Sequence, residues 1–446
     1  MTAGISRTGY GWALAALLAL PIACAPGNPK APASGPVTIT YWEKWNGFEG
    51  DAIQAVVDSF NTKQDRIHVD LMTVSEIEKK LLIAAAGGDP PDISGLYSRN
   101  VQVYAEKGAL EPLDGDMAGH GIRLSDFIPI YLKECRLRDR TYALPIAGMT
   151  LALHYNKDLF KAAGLDPDRP PRTIREFEEY AQKLTLPDGK GGYQQMGFLP
   201  TEPGWWNWSW PYYTGGSLYD YKTHSVTADT PENRRALQWF ADYSRKYGVA
   251  KTSAFRGGFG NFASPQNAFM AGKLAMILQG VWMPTFIRHF NPKLNYGVAP
   301  FPAYSEQVHD RTLIEGDVVV IPAGSPHPKE AMEFLAYLVS PEGQEKLSLL
   351  QGKFPMLKKV SKDFWRKNQN PWLHVFRDLA DSPGAFTAPR MGIFAEYFDE
   401  GNAAFDQVWL LQKTPEEVLG GLQKRIGKLW ARELRRMDRL GLKPSD

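Results

Sequence analysis

From Val37 to Tyr97 the chain switches back and forth between two hydrophobic periods, and no other feature narrows its possible folds so far. Val37 to Trp42 reads VTITYW, apolar at every second place, the period of a half-buried strand. Ile53, Val56, Val57 and Phe60 then fall on one face of a helix. Ile67 to Val74 alternates again. Ser75 with Glu78 makes a capping box ahead of a helical stripe of Ile77, Leu81, Ala84 and Ala85, which Gly87 and Gly88 stop. Asp89, Pro90 and Pro91 turn the chain into a third strand expected from Asp92 to Tyr97. Strand, helix, strand, helix in this order calls for a sheet covered by helices, the α/β class. Ligands of such sheets sit beyond the carboxyl ends of strands, which brings Ser98, Arg99 and Asn100 into view.

The same signals continue. Thr173 with Glu176 and Thr414 with Glu417 form further capping boxes, and Thr230, Ser264, Ser340 and Thr414 each precede a proline suited to the first helical position. Leu151 to Tyr155, Leu274 to Leu278, Tyr296 to Ala299 and Val318 to Ile321 are short apolar runs of the kind buried in a helix-covered sheet. With 446 residues, 43% of them hydrophobic, the chain can bury more than one core. Lys and Arg total 51 against 49 Asp and Glu, a balance that gives no field for nucleic acid and suits a neutral ligand. Cys24 and Cys135 are the only cysteines, so no disulfide framework is expected, and Cys135 reads as a packed thiol. Nothing in the sequence calls for a metal or cofactor.

Arg7, the apolar run from Tyr10 to Leu20 and the small residues around Cys24 have the order of a secretory signal, so residues 1–23 read as a signal peptide. The run is too short to span a bilayer. Cys24 after Ile22 and Ala23 resembles a bacterial lipobox, whose cysteine takes a lipid anchor. Pro21 departs from that pattern, and cleavage after Ala33 is the alternative. Residues 24–36, rich in Pro, Gly and Ala, read as a flexible tether holding the folded body off a membrane.

Gly204 to Asp220, GWWNWSWPYYTGGSLYD, crowds Trp205, Trp206, Trp208, Trp210, Tyr212 and Tyr213 ahead of Gly215 and Gly216. Aromatic faces suit a carbohydrate, whose C–H faces are apolar and whose rim is hydroxylated. The glycines beside the rings would let backbone approach a bound molecule. The plainer reading is that the rings fill a core.

FNTKQDRIHVDL, KKLLIAAAGGDPPDISGLY, YALPIAGMTLALHYNKDLFKAAGL, NAFMAGKLAMILQGVW and HPKEAMEFLAYLVSPEGQEK together resemble the family 1 extracellular solute-binding proteins, which feed sugars to ABC importers. The likeness runs from Val37 to about Leu422. It implies a two-lobed type II periplasmic-binding fold, each lobe a helix-covered sheet, with the ligand in the cleft between them. Residues 37–147 and 299–355 would build one lobe, and residues 148–298 and 356–446 the other. It also implies an extracytoplasmic monomer that serves permease subunits. Carried over by position, the contacts would be Trp45, Asn46 and Glu49 after the first strand; Tyr97, Ser98 and Arg99; and Met149 and Thr150. Trp205 and Trp206 come from the aromatic stretch, Trp282 from QGVW, Glu315, Gly316 and Asp317 from a strand entrance, and Tyr397, beside Phe398, from a late segment. Trp208, Trp210 and Tyr212 are expected to pack the lobe.

One other ligand class, a polar solute such as a glycerol phosphate ester, and one other activity compete. A glycerol phosphate ester would need a guanidinium, for which Arg99, Arg256 and Arg390 are the candidates. A glycoside hydrolase would need a carboxylate pair, and Glu43, Glu49, Glu315 and Asp317 are available, although no hydrolase motif accompanies them. A helix expected from Leu422 to Leu440 carries seven basic residues opposite a stripe of Leu422, Ile426, Leu429 and Met437, suited to packing inward or to touching lipid.

Overall fold

The computed structural model describes residues 35–260 and 263–445. Its main sheet is built from β1 (Val37–Glu43), β2 (Ile67–Thr73), β3 (Ile93–Tyr97), β4 (Leu144–Asn156), β5 (Met276–Gly280), β6 (Tyr296–Ala299), β7 (Thr312–Val320) and β8 (Ala385–Phe386). β1 lies parallel between β2 and β3, as the opening βαβα pattern requires. β7 runs antiparallel to β3, pairing Asp317 with Tyr97, and antiparallel to β4, pairing Gly316 with Gly148. Beyond Thr150 β4 leaves β7 and pairs with β5 and β6 instead, Leu153 lying opposite both Leu278 and Ala299. One 13-residue strand therefore serves two groups of strands.

Two large cores form on either side of that exchange. One gathers β1, β2 and the helix α1 (Gly47–Lys63) with α2 (Pro328–Leu338), and takes Leu144 and Ile146 from β4. The other gathers Leu151, Leu153 and Tyr155 of β4 with the aromatic stretch and the late helices. A smaller cluster around Leu81, Leu96, Val318 and Val320 holds Cys135, whose Sγ donates to the Tyr131 carbonyl (3.4 Å) and whose thiol burial pushes well above the usual range.

Local signals met different fates. Thr414 forms a complete capping box with Glu417, and Thr230 and Ser340 cap their helices ahead of proline. Thr173 accepts from the Glu176 amide, but the Glu176 carboxylate takes the N–H of Arg172, one residue too early for a box. The Ser75 box does not form. The helix starts at Ile77, after Glu76 in left-handed backbone (φ 51°), leaving Ser75 too far from the first-turn amides. Ser264 opens a turn, its Oγ accepting from the Gln266 amide (3.1 Å), and no helix follows.

The paired glycines face protein, not a ligand. A Cβ at Gly216 would lie 1.9 Å from Asn233 Oδ1, and one at Gly215 would lie 2.9 Å from Val308. Tyr212 and Tyr213 are buried, Tyr212 stacking on Phe386 at 4.4 Å. The last long helix, Pro415–Arg439, buries Leu422, Ile426 and Met437, and adds Trp430, whose indole N–H donates to the His224 carbonyl (2.7 Å).

Candidate functional site

Where β4 changes partners, the ends of β1 and β3 and the middle of β7 meet the aromatic stretch around a cavity of about 480 Å³. That size lies within the roughly 300–1,000 Å³ of small-molecule sites. Trp45 comes from the first core, Trp206 and Trp208 from the second, and Trp282 packs against both, so the cavity sits at the seam of the two.

The floor is a chain of ion pairs. Just after β1, Lys44 Nζ reaches Asp317 Oδ1 (2.9 Å) and Glu43 Oε1 (3.2 Å), and Glu43 also accepts the Tyr41 hydroxyl (2.7 Å). Burial works against the Lys44 charge, but Asp317 and Glu43 outweigh it and hold the ammonium above its usual pKa. Lys353 Nζ reaches Glu49 Oε1 (2.8 Å) and stands 4.0 Å from Asp317 Oδ2, with its side chain only 3% exposed. Both ammonium groups lie over the Trp45 ring, at 5.0 and 5.1 Å. Arg99 pairs with Glu315 and with Glu78 (3.5 Å), its guanidinium 4.4 Å from the Tyr97 ring and 5.5 Å from that of Phe398. Burial pushes the Tyr97 phenol up to about 12, against the pull of Lys44. Every carboxylate in the lining, Glu49, Glu315 and Asp317, is thus matched to a cation.

The walls are rings. Trp205 and Trp206 meet edge to face at 5.5 Å, Trp206 and Trp282 at 6.4 Å, and Trp205 is 43% exposed toward solvent. Trp208 both lines the cavity and packs on Phe394 (5.2 Å), where packing alone was expected.

Of the residues singled out in the sequence, Trp45, Glu49, Tyr97, Arg99, Met149, Trp205, Trp206, Trp282, Glu315, Gly316 and Asp317 come together in this lining. Asn46, Ser98, Thr150 and Tyr397 do not. Asn46 is exposed at the start of α1. Ser98 is buried behind Gly316, accepting its N–H (2.9 Å) and donating to Glu134. Thr150 is buried against the Tyr131 hydroxyl (2.8 Å), and Tyr397 is core, donating to the Leu218 carbonyl (2.9 Å) while its neighbour Phe398 takes the wall. Lys353 and Leu313 went unnoticed. Lys353 follows a helix with no motif around it, and only the fold carries it back to Glu49. Arg256, paired with Glu202 (3.3 Å), and Arg390 lie outside the lining. Among the described residues, no group of three or more His, Cys, Asp or Glu side chains is placed to hold a metal, and no helix is long and apolar enough to cross a membrane.

Residues 47–345 match the model of the bacterial extracellular solute-binding proteins, about two thirds of the chain. The chain belongs to that family. It is 24% identical, over 90% of its length and 93% of the relative's, to the sn-glycerol-3-phosphate-binding periplasmic protein UgpB of Pectobacterium atrosepticum. Among solved structures it is similar to CpMnBP1 with mannobiose bound, at a TM-score of 0.78 and 28% identity over 87% of this chain and 99% of that one. It is also similar to the GacH receptor of Streptomyces glaucescens, solved unliganded and with acarbose, at a TM-score of 0.74 and 25% identity over 89% and 99% of the two chains. The architecture is the type II periplasmic-binding fold, and the protein is a solute-binding protein of ABC importers.

Proposed function

We propose that this solute-binding protein carries a neutral sugar or oligosaccharide to its permease subunits, holding it in the cavity at the seam of two lobes. The observation that supports this reading most is a ring-walled cavity over a floor in which each lining carboxylate is already paired with a cation. A sugar lays C–H faces on rings, offers hydroxyls to fixed donors and acceptors, and brings no charge to disturb the floor. Mannobiose in CpMnBP1 and acarbose in GacH are ligands of that chemistry. The same pairing disfavours hydrolysis, since carboxylates held by cations suit acceptors better than a proton donor. The lobes we assign are residues 37–147 with 299–355, and 148–298 with 356–446, of which Phe364 and Phe376 rest on the first core.

A glycerol phosphate ester is the second reading, drawn from the likeness to UgpB. Its phosphate would have to displace Glu315 or Glu78 from Arg99, which leaves a carboxylate without its partner. Calorimetric titration with neutral oligosaccharides and with sn-glycerol 3-phosphate separates the two. Saturable heat from a neutral sugar alone is expected, and heat from the ester alone would replace the first reading with the second. The same sugar incubated with the protein should yield no new reducing ends; their appearance would revive the hydrolase.

The leader belongs to this proposal, with residues 1–23 as a signal peptide, Cys24 lipidated and residues 24–36 a tether; Cys24 lies outside the described residues. Replacing Cys24 by Ser should release the protein from the membrane fraction or block its processing, and unchanged fractionation and processing would remove the anchor. Light scattering of the mature protein checks the expected monomer, which a dimer mass would contradict.

A further inference from the structure

The last helix, Pro415–Arg439, buries its apolar stripe in the second core, and the face it turns outward is not evenly charged. Lys424, Lys428, Arg432, Arg435 and Arg439 are all exposed and recur at intervals of four, four, three and four residues. At 3.6 residues per turn that spacing gathers them within about 80° of the helix circumference, and at 1.5 Å per residue they form a line roughly 22 Å long. The chain as a whole is nearly neutral, with 51 Lys and Arg against 49 Asp and Glu, so the line is a local feature.

Arg425 and Arg436 lie to one side of this line and are already matched, Arg425 with Glu400 and Arg436 with Glu433 (Nε at 2.9 Å). Arg439, on the line, donates from Nε to the uncharged Arg435 carbonyl (3.3 Å). Between Lys424 and Arg439 the carboxylates are Glu433, which Arg436 holds, and Asp438, exposed beside the end of the line. Like charges four apart on a helix repel, and an anionic surface laid against them removes that cost. A narrow, straight line of long side chains on a convex face reaches a flat surface all at once, whereas a small anion could bridge only neighbours. Immediately beyond Arg439, Leu440 is 58% exposed and Leu442 36%, so apolar tips stand at the end of the basic line. Cations flanked by exposed apolar side chains are what the boundary between headgroups and acyl chains accommodates.

We propose that this face of the last helix docks on an anionic phospholipid surface, the basic line pairing with headgroup phosphates while Leu440 and Leu442 enter the interfacial layer. The contact is independent of the solute in the cleft and of acylation at Cys24.

Co-sedimentation with vesicles tests this, using the mature chain with Cys24→Ser so that no acyl group contributes. Vesicles of equal parts phosphatidylglycerol and phosphatidylcholine should retain the protein at low ionic strength and release it as salt rises, because exposed charges are screened. Pure phosphatidylcholine should not retain it. Lys428→Gln, Arg432→Gln and Arg435→Gln together should lower the apparent affinity roughly tenfold or more. Glutamine keeps good helix propensity, and circular dichroism checks that the variant is folded. Removing as many exposed lysines elsewhere, by Lys107→Gln, Lys329→Gln and Lys359→Gln, should leave retention unchanged. No retention by the anionic vesicles at low salt, an equal loss in the control variant, or equal retention by neutral vesicles overturns the proposal. Retention on heparin without retention on vesicles also overturns it, and would assign the line to a soluble polyanion.

Discussion

A methyl group at Gly280 would sit 2.2 Å from Cη2 and Cζ3 of Trp282, so the indole lies across the chain only because that residue has no side chain. Trp282→Ala removes a wall of the cleft, and we expect a loss of on the order of 2 kcal/mol in binding, roughly thirtyfold. Gly280→Ala should weaken binding in the same direction by displacing the ring. In the Trp282→Ala background it should then cost little more, and full additivity in titration calorimetry would show that the two act separately. Behind the cleft, burial pushes the Glu134 carboxyl up to about 8, with the Ser98 hydrogen bond opposing and Glu315 adding to the rise. The folded state thus keeps a proton that the unfolded chain releases near pH 4.5. Its contribution is complete below that pH and is lost as the pH rises through about 8. Between pH 6 and 9 it should amount to about 2 to 3 kcal/mol, at 1.36 kcal/mol per pKa unit. Denaturant melts of Glu134→Gln should show a flatter pH profile over that range, and an unchanged slope would place the proton elsewhere.

At the scale of elements, a capping box works only where the helix begins at the residue after it. Thr414 caps from that position, its Oγ1 accepting from the Glu417 amide (3.2 Å) while Glu417 accepts from the Thr414 amide (2.8 Å). Thr414→Ala should therefore cost about 1 kcal/mol of stability, and Thr414→Ser much less. Ser75 stands one residue further out and makes no such bond, so Ser75→Ala should stay within about 0.5 kcal/mol of wild type. Equal losses at Thr414 and Ser75 in chemical denaturation would contradict this account. β4 and β7 illustrate a different limit of local reading. Their apolar runs, Leu151 to Tyr155 and Val318 to Ile321, are legible as strands, but the exchange of partners near Thr150 depends on neighbours far away in sequence.

At the scale of the molecule, the cavity draws its walls from both cores, so a ligand touching both favours whichever state brings them together. Small-angle scattering should show a smaller radius of gyration at saturation with sugar. Superimposable curves with and without ligand would mean that binding moves nothing.

By itself the sequence determined the α/β class, the order of the first strands and helices, and most of the ring and carboxylate residues that line the cleft. Alternation and helical periodicity are local properties, and indoles bunched between a proline and glycines are visible wherever the fold puts them. Only the tertiary structure decided which member of each short stretch faces the cavity. Along a strand or helix, neighbours point different ways, so Phe398 stands in the wall while Tyr397 is core, and Tyr97 lines the cavity while Ser98 is buried behind Gly316. Lys353 reaches Glu49 across some 300 residues of sequence, a pairing that no local pattern encodes. Electrostatic partners of that kind are chosen by distance in space, and distance in space exists only once the sheet and its two cores have formed.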